Sequence, residues 1–89
     1  MDAAALIAAL SAALPDAGLE DGQGVDQPTL VVPRDRLVEV CETLRDEPAL
    51  RFDVLADVTA VDWWPGEPRY AVVYHLLSIT HNRRMRLQV

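Results

Sequence analysis

The chain has 89 residues, of which 51% are hydrophobic, and it carries a formal net charge of −6. The apolar share is too high for a disordered tail and is enough for one modest core, so we expect residues 1–89 to form a single domain. The negative charge argues against a nucleic-acid partner, because such proteins present a basic surface to phosphate. A single cysteine, Cys41, excludes an internal disulfide and a thiolate metal cluster within the chain.

The sequence also predicts that the chain has no direct membrane span. Its uncharged segment near the start, residues 3–15, is shorter than the roughly 20 residues that cross a bilayer as a helix. A secretory signal begins with positive charge, whereas the first basic residue here is Arg34. We therefore expect a cytoplasmic protein that meets a membrane only through a partner.

Residues 1–28 are predicted to form a helix followed by an acidic, glycine-rich loop. Asp2 is a suitable N-cap, apolar residues recur at helical spacing as far as Leu14, and Pro15 marks the end of the helix. Residues 22–24 lack the full glycine pattern and the lysine of a phosphate-binding loop. Because neighbouring carboxylates would also repel phosphate, we interpret this segment as a structural loop.

A short strand and a second helix are predicted next. Thr29–Val32 is a run of strand-forming residues, and Pro33 is favoured at the start of a helix that ends before Pro48. The apolar side of this helix is predicted to consist of Leu37, Val38, Cys41 and Leu44. The position of Cys41 in this stripe favours a buried structural thiol over a reactive one.

The second half of the chain changes to an apolar period of two, which is typical of strands. Residues 52–61 are predicted to be a strand with one apolar face and one mixed face, the latter made of Asp53, Leu55, Asp57, Thr59 and Val61. Residues 63–68 are predicted to form a turn. Residues 69–79 are apolar on both sides, as expected of a central strand that is covered on both faces, and residues 83–89 alternate as a further strand.

These elements predict an α+β fold that forms a two-layer sandwich. In this fold a helix–strand–helix unit is followed by a three-stranded antiparallel meander. Both helices are expected on one face of the sheet, and the first strand is expected to join the sheet.

Neither histidine belongs to a recognisable catalytic or metal site. His75 and His81 have no cysteine or histidine at metal-ligand spacing. Asp57 and His75 lie on adjacent predicted strands, but a shift of one residue in register would place them on opposite faces. Spacing gives no support to a Ser-His-Asp arrangement through Ser78. We therefore predict no catalytic, cofactor-binding or metal-binding residue in this chain.

Several polar and aromatic residues of the strands and turns have two interpretations. Asp57 and Asp62, with Thr59 and His75, mark either the solvent side of the sheet or a contact face for another protein. The two tryptophans of the turn are interface anchors, or one of them folds back onto the hairpin. Three arginines, Arg83, Arg84 and Arg86, form a basic edge that either protects a strand edge or docks on an acidic protein surface. The predicted interface set is Asp57, Thr59, Asp62, Trp63, Trp64, His75, His81, Arg83 and Arg84.

Three runs of the chain together carry a family resemblance. They are Leu50–Asp62, with its Ala-Asp-x-Thr-x-Val-Asp pattern, Arg69–Ser78, with Tyr-His-Leu-Leu-Ser, and His81–Val89. In combination they resemble the 30 kDa-type subunit of respiratory complex I, which in bacteria is the C subunit of NADH–quinone oxidoreductase. The run Thr29–Arg36 is similar to that family as well, so the resemblance covers about residues 29–89.

The resemblance implies a non-catalytic scaffold subunit in the peripheral arm of a proton-translocating enzyme that passes electrons from NADH to quinone. FMN, iron–sulfur clusters and quinone are then bound by other subunits, and no cofactor is expected in this chain. The implied partners are the other hydrophilic-arm subunits, especially the quinone-site subunit of 49 kDa type. The implied location is the cytoplasmic face of the inner membrane, which the chain reaches through the complex.

Two alternative functions fit the same residues. One is the equivalent subunit of a membrane-bound hydrogenase-type complex, and the other is a free-standing protein-interaction module. The family that the chain resembles continues past residue 89 into a segment with a Glu-Arg-Glu signature. We therefore expect residues 1–89 to be the N-terminal part of a longer subunit.

Overall fold

The computed structural model describes residues 2–24, 26–62, 64–66 and 70–89. It contains two helices and a five-stranded mixed sheet, in agreement with the predicted α+β class and with one strand more than expected. In chain order the elements are α1 (Ala3–Ala13), β1 (Glu20–Asp21), β2 (Thr29–Val31), α2 (Leu37–Asp46), β3 (Val54–Asp62), β4 (Tyr70–Ser78) and β5 (Arg83–Gln88).

The first helix begins and ends close to the predicted residues. Asp2 is its N-cap, because the Oδ1 atom of this residue accepts a hydrogen bond of 2.9 Å from the Ala5 amide. Leu6 and Leu10 on the apolar side of α1 are buried. The alanines between them favour the helical backbone, so α1 combines a strong local preference with a narrow buried stripe.

The second helix packs Leu37, Cys41 and Leu44 of the predicted stripe against the core, but Val38 is not on the buried side. A 3₁₀ turn, Arg34–Arg36, leads into α2, whose buried residues are Val40 and Leu44. The sequence pattern places Val38 on the apolar side, but this residue is 67% exposed. At about 100° per residue, Val40 lies beside Leu44 on the helix surface, whereas Val38 does not. Cys41 packs half-buried against the core, and desolvation raises the pKa of its thiol.

The strands follow the order β1-β2-β5-β4-β3 across the sheet. β3, β4 and β5 are antiparallel neighbours, which matches the predicted meander, and β2 joins β5 in parallel with Leu30 beside Leu87. β1 lies in the segment for which the sequence predicts a loop. Its residues, Glu20 and Asp21, have low strand propensity and are a strand only through backbone pairing with β2.

The two faces of the sheet differ in what covers them. Both helices pack on one face, which we call the helix face, and contribute to a core with β2, β4 and β5. The largest fully buried apolar side chains of this core are Leu6, Leu10, Leu30, Val40, Leu44, Leu50, Met85 and Leu87. The opposite face, which we call the open face, has no described helix packed on it.

A register shift changes the faces of β3. Leu55 pairs with Leu76 on the helix face, while Asp57 pairs with His75 on the open face, and Ala56 is the extra residue of a β-bulge. The prediction that Leu55 shares a face with Asp57 is therefore wrong. Strict alternation does not hold across a bulge, and the sequence pattern contains no mark of it.

The prediction that the strand over residues 69–79, here β4, is covered on both faces is also wrong. β4 does lie between β5 and β3, and its residues Leu76 and Ser78 are buried. However, Tyr70 at the other end is exposed, and β3 is exposed along most of its length. The helix layer therefore covers only part of one face.

Candidate functional site

The open face carries half of the described residues that are predicted for an interface. The strand register places Asp57, Thr59, His75 and Arg84 on it together. Apolar side chains of β3 and β4 lie between them, namely Val54, Val61, Ala71, Val73 and Leu77. The result is a mixed polar and apolar surface on a sheet, which is the composition typical of protein interfaces.

Asp57 and His75 are direct cross-strand neighbours, which decides the register that the sequence left open. The Asp57 carboxylate accepts a hydrogen bond from the Thr59 hydroxyl, with 3.1 Å between Oγ1 and Oδ2. Ser78 lies on the helix face, and its Oγ accepts a hydrogen bond of 3.3 Å from the His81 amide. Because Ser78 and His75 lie on opposite faces, these residues do not form a Ser-His-Asp arrangement.

The glycine-rich loop after β1 closes one end of the open face. Gly22 and Gly24 approach Thr29 so closely that a Cβ at either position would overlap the Thr29 side chain. The loop and the sheet together form a groove of about 260 Å³. It is lined by Gly22, Gly24, Thr29, Thr59, Val61, Val73, His75, Arg86 and Gln88.

Arg86 attaches this loop to the sheet. Its guanidinium forms an ion pair with Asp26, and its amide donates a hydrogen bond of 2.9 Å to the carbonyl of Pro28. The pKa of the Asp26 carboxyl lies below its ordinary value. The largest cause is a hydrogen bond from the backbone amide of Asp26 itself, and the charge of Arg86 lowers the pKa further. The Arg86 Nε is buried and has no hydrogen-bond partner among the described residues. No sequence pattern indicates this pair, because its members are 60 residues apart.

The turn after β3 presents a tryptophan to solvent. The Trp64 side chain is 72% exposed, and its backbone amide donates a hydrogen bond of 2.9 Å to Asp62 Oδ1. Asp62 pairs with Tyr70 and lies on the helix-face side of β3, so it does not share a surface with Asp57. Trp63 lies outside the described residues. The structure therefore separates Asp62 and Trp64 from the members of the predicted set that lie on the open face.

Two other members of the predicted set have contacts within the chain. His81 Nε2 donates to the carbonyl oxygen of Pro48 over 2.9 Å, and Arg83 Nη1 donates to the carbonyl of Ala49 over 3.3 Å. Both contacts hold the segment between α2 and β3. These distances give the two side chains a structural role, and their membership of an interface stays a prediction.

The described part of the chain offers neither a metal site nor a membrane-spanning helix. Within residues 2–24, 26–62, 64–66 and 70–89, no three His, Cys, Asp or Glu side chains are placed to hold a metal ion together. Neither described helix is long and apolar enough to cross a bilayer.

Comparison with known proteins identifies a family. Residues 30–89 match the family described as "Respiratory-chain NADH dehydrogenase, 30 Kd subunit". A protein of Saccharopolyspora erythraea, which is named as the C subunit of NADH-quinone oxidoreductase, is 55% identical over 62 residues. These residues cover 68% of this chain and 25% of that protein.

Two relatives match the full length of the chain. Proteins of Roseiflexus sp. and Roseiflexus castenholzii, both named as the C subunit of NADH-quinone oxidoreductase, are 42% and 40% identical over 89 residues. The match covers 100% of this chain and 51% of each relative. The chain thus spans about half the length of these relatives.

Proposed function

The chain belongs to the family of the 30 kDa subunit of respiratory-chain NADH dehydrogenase, and on this premise we propose that it is a scaffold part of the C subunit of NADH–quinone oxidoreductase. In this role it binds neighbouring subunits of the peripheral arm and supplies no catalytic group. The relatives that match its full length bear the name of that subunit.

The open face is the observation that carries this proposal. It combines the carboxylate of Asp57, the imidazole of His75 and the guanidinium of Arg84 with half-buried Val61 and Val73. These groups lie on neighbouring strands of a hydrogen-bonded sheet, so their spacing is fixed before a partner arrives. Preorganised surfaces lose less conformational entropy on binding, which suits a subunit whose task is to position others.

The partners that we propose are the hydrophilic-arm subunits, above all the quinone-site subunit of 49 kDa type. FMN, iron–sulfur clusters and quinone belong to those partners in this proposal. Electron transfer between such centres depends steeply on distance, so a rigid part that fixes subunit positions affects the rate without binding a cofactor. The assembled complex holds the chain at the cytoplasmic face of the inner membrane.

The test changes the charge of the open face in the full-length subunit, in its own organism, by reversing two charges and adding one. Asp57→Arg, Thr59→Arg and Arg84→Glu change exposed side chains, so we expect the isolated protein to stay folded. The amount of assembled complex on native gels and the NADH–quinone activity of membranes should fall together, because fewer complexes form.

The matched control is Glu47→Arg, which reverses an exposed charge just after α2, away from the open face. This variant should assemble normally. Normal assembly and activity of the combined open-face variant would contradict the assignment of this face to a partner. Normal complex levels in a strain without the subunit would contradict the scaffold function itself.

A further inference from the structure

β3 forms a long open edge of the sheet. It is the last strand in the sheet order, and β4 is its one neighbour among the described strands. The opposite edge is β1, which has two residues, whereas β3 has nine. Proteins generally shorten, cover or charge such edges, because a free edge can pair with another chain.

The backbone groups at this edge can be assigned from the neighbouring pairs. Val72 and Val89 exchange both backbone hydrogen bonds, at 3.1 and 2.9 Å, so the backbone groups of Val72 point toward β5. The backbone N–H and C=O groups of successive residues in a strand point to alternate sides. Those of Val73 therefore point toward β3, and those of its partner Thr59 point toward β4. By the same alternation, the amides of Val58 and Ala60 point away from β4, toward the free edge.

An apolar groove lies beside this edge on the helix face. It has a volume of about 400 Å³ and lies between α2 and the outer strands. Its apolar lining consists of Leu37, Val38, Cys41, Phe52, Leu55, Tyr74 and Leu76. Leu55 is 56% exposed, and Val58, next to the groove, is 48% exposed. Alternate side chains of a strand added to β3 would lie over these residues.

The charge around the edge is negative. Glu42 and Asp53 lie at the groove, and Asp57 is exposed on the open-face side of β3. Arg45 at the groove forms an ion pair with Asp46, with 2.8 Å between Nε and Oδ1. β3 itself contains no basic residue. On the open face, the charged side chain that β3 presents is Asp57, so a strand beside β3 is favoured when its open-face side chains are basic.

We propose that the free edge of β3 binds an extended segment of another protein in which apolar and basic residues alternate. The segment adds a sixth strand to the sheet, places its apolar side chains over the groove and its basic side chains beside Asp57, and forms backbone hydrogen bonds with Val58 and Ala60. A second copy of this chain is disfavoured as the occupant, because its own β3 is acidic. The site does not depend on which complex the chain serves.

The experiment uses the 89-residue chain, labelled with ¹⁵N, and a synthetic peptide in which valine and lysine alternate. On binding, hydrogen exchange at the Val58 and Ala60 amides should slow by about tenfold or more, because these amides acquire a partner. The Thr59 and Val61 amides, which already face β4, should change little. A peptide with glutamate in place of lysine is the matched control and should not bind.

A pair of substitutions tests the backbone geometry directly. Ala60→Pro removes an amide that points outward, so the β3–β4 hydrogen bonds remain, whereas Ala60→Val keeps this amide. We expect Ala60→Pro to weaken peptide binding by about tenfold, which corresponds to the loss of ~1.4 kcal/mol, and Ala60→Val to bind like the unchanged chain. If Ala60→Pro does not fold, the hydrogen-exchange measurement on the unchanged chain tests the proposal in its place.

Three results would overturn the proposal. The first is equal binding by Ala60→Pro and Ala60→Val, and the second is exchange that slows with peptide at the Thr59 and Val61 amides but not at the Val58 and Ala60 amides. The third is concentration-dependent dimerisation in sedimentation that Ala60→Pro abolishes, since the occupant of the edge would then be a second copy.

Discussion

The inner and outer halves of the sheet share one sequence pattern but differ in burial. We define the inner half as β2, β5 and the Leu76 end of β4, and the outer half as β3 and the Tyr70 end of β4. Leu87 in the inner half is 0% exposed, whereas Leu55 in the outer half is 56% exposed. Both lie on the helix face, so the difference arises from the helices, which pack over the inner half.

This difference separates stability from binding within one small sheet. In the inner half, apolar side chains from α1, α2 and the strands form the core, and burial of apolar area stabilises the fold. In the outer half, similar side chains remain available to another molecule. Exposed apolar surface that adjoins a groove is typical of interaction sites rather than of surfaces that contact only solvent.

The largest expected effect comes from truncating equivalent side chains in the two halves. Leu87→Ala should lower the free energy of unfolding by about 3 kcal/mol, because it leaves a cavity in a core that cannot collapse fully. Leu55→Ala should lower it by less than ~1 kcal/mol, because the side chain is already in contact with water. Urea denaturation measures both. Equal losses would show that Leu55 is buried in solution and would contradict the difference in burial between the two halves.

A smaller effect is expected at the connection between the halves. His81→Ala removes the hydrogen bond from Nε2 to the carbonyl of Pro48, which holds the segment that leads into β3. We expect a loss of about 1 kcal/mol in the free energy of unfolding, as is usual for one hydrogen bond. Hydrogen exchange should become faster in the segment before β3 and stay slow in β5. Faster exchange throughout the chain would instead assign His81 to the core.

The smallest effect concerns the loop on the open face. The folded-state pKa of Asp26 lies below its ordinary value, so the ionised carboxylate stabilises the fold above the unfolded-state pKa, and this contribution is lost as pH falls through the folded-state pKa. The stability advantage of the unchanged chain over Asp26→Asn should therefore be constant at neutral pH and should shrink below about pH 4. Thermal unfolding at several pH values measures this difference. An advantage that grows on acidification would contradict the ion pair with Arg86.

Local chemistry was enough to predict some elements. The N-cap at Asp2, the two helices, the antiparallel meander and the neighbouring strands that carry Asp57 and His75 follow from capping preference and apolar periodicity, which act over a few residues. The resemblance of three runs to the complex I 30 kDa family was also recognisable from the sequence alone, and the match over residues 30–89 confirms it.

The arrangement of these elements was decided only by tertiary structure. The bulge at Ala56 moves Leu55 to the helix face, and a single register shift of this kind has no signature in an alternating sequence. The pairing of Asp26 with Arg86 depends on contact between residues that are remote in sequence. Likewise, the apolar alternation of β3 marks a face that can be buried. Whether it is buried depends on where the helices end, and here they leave it exposed.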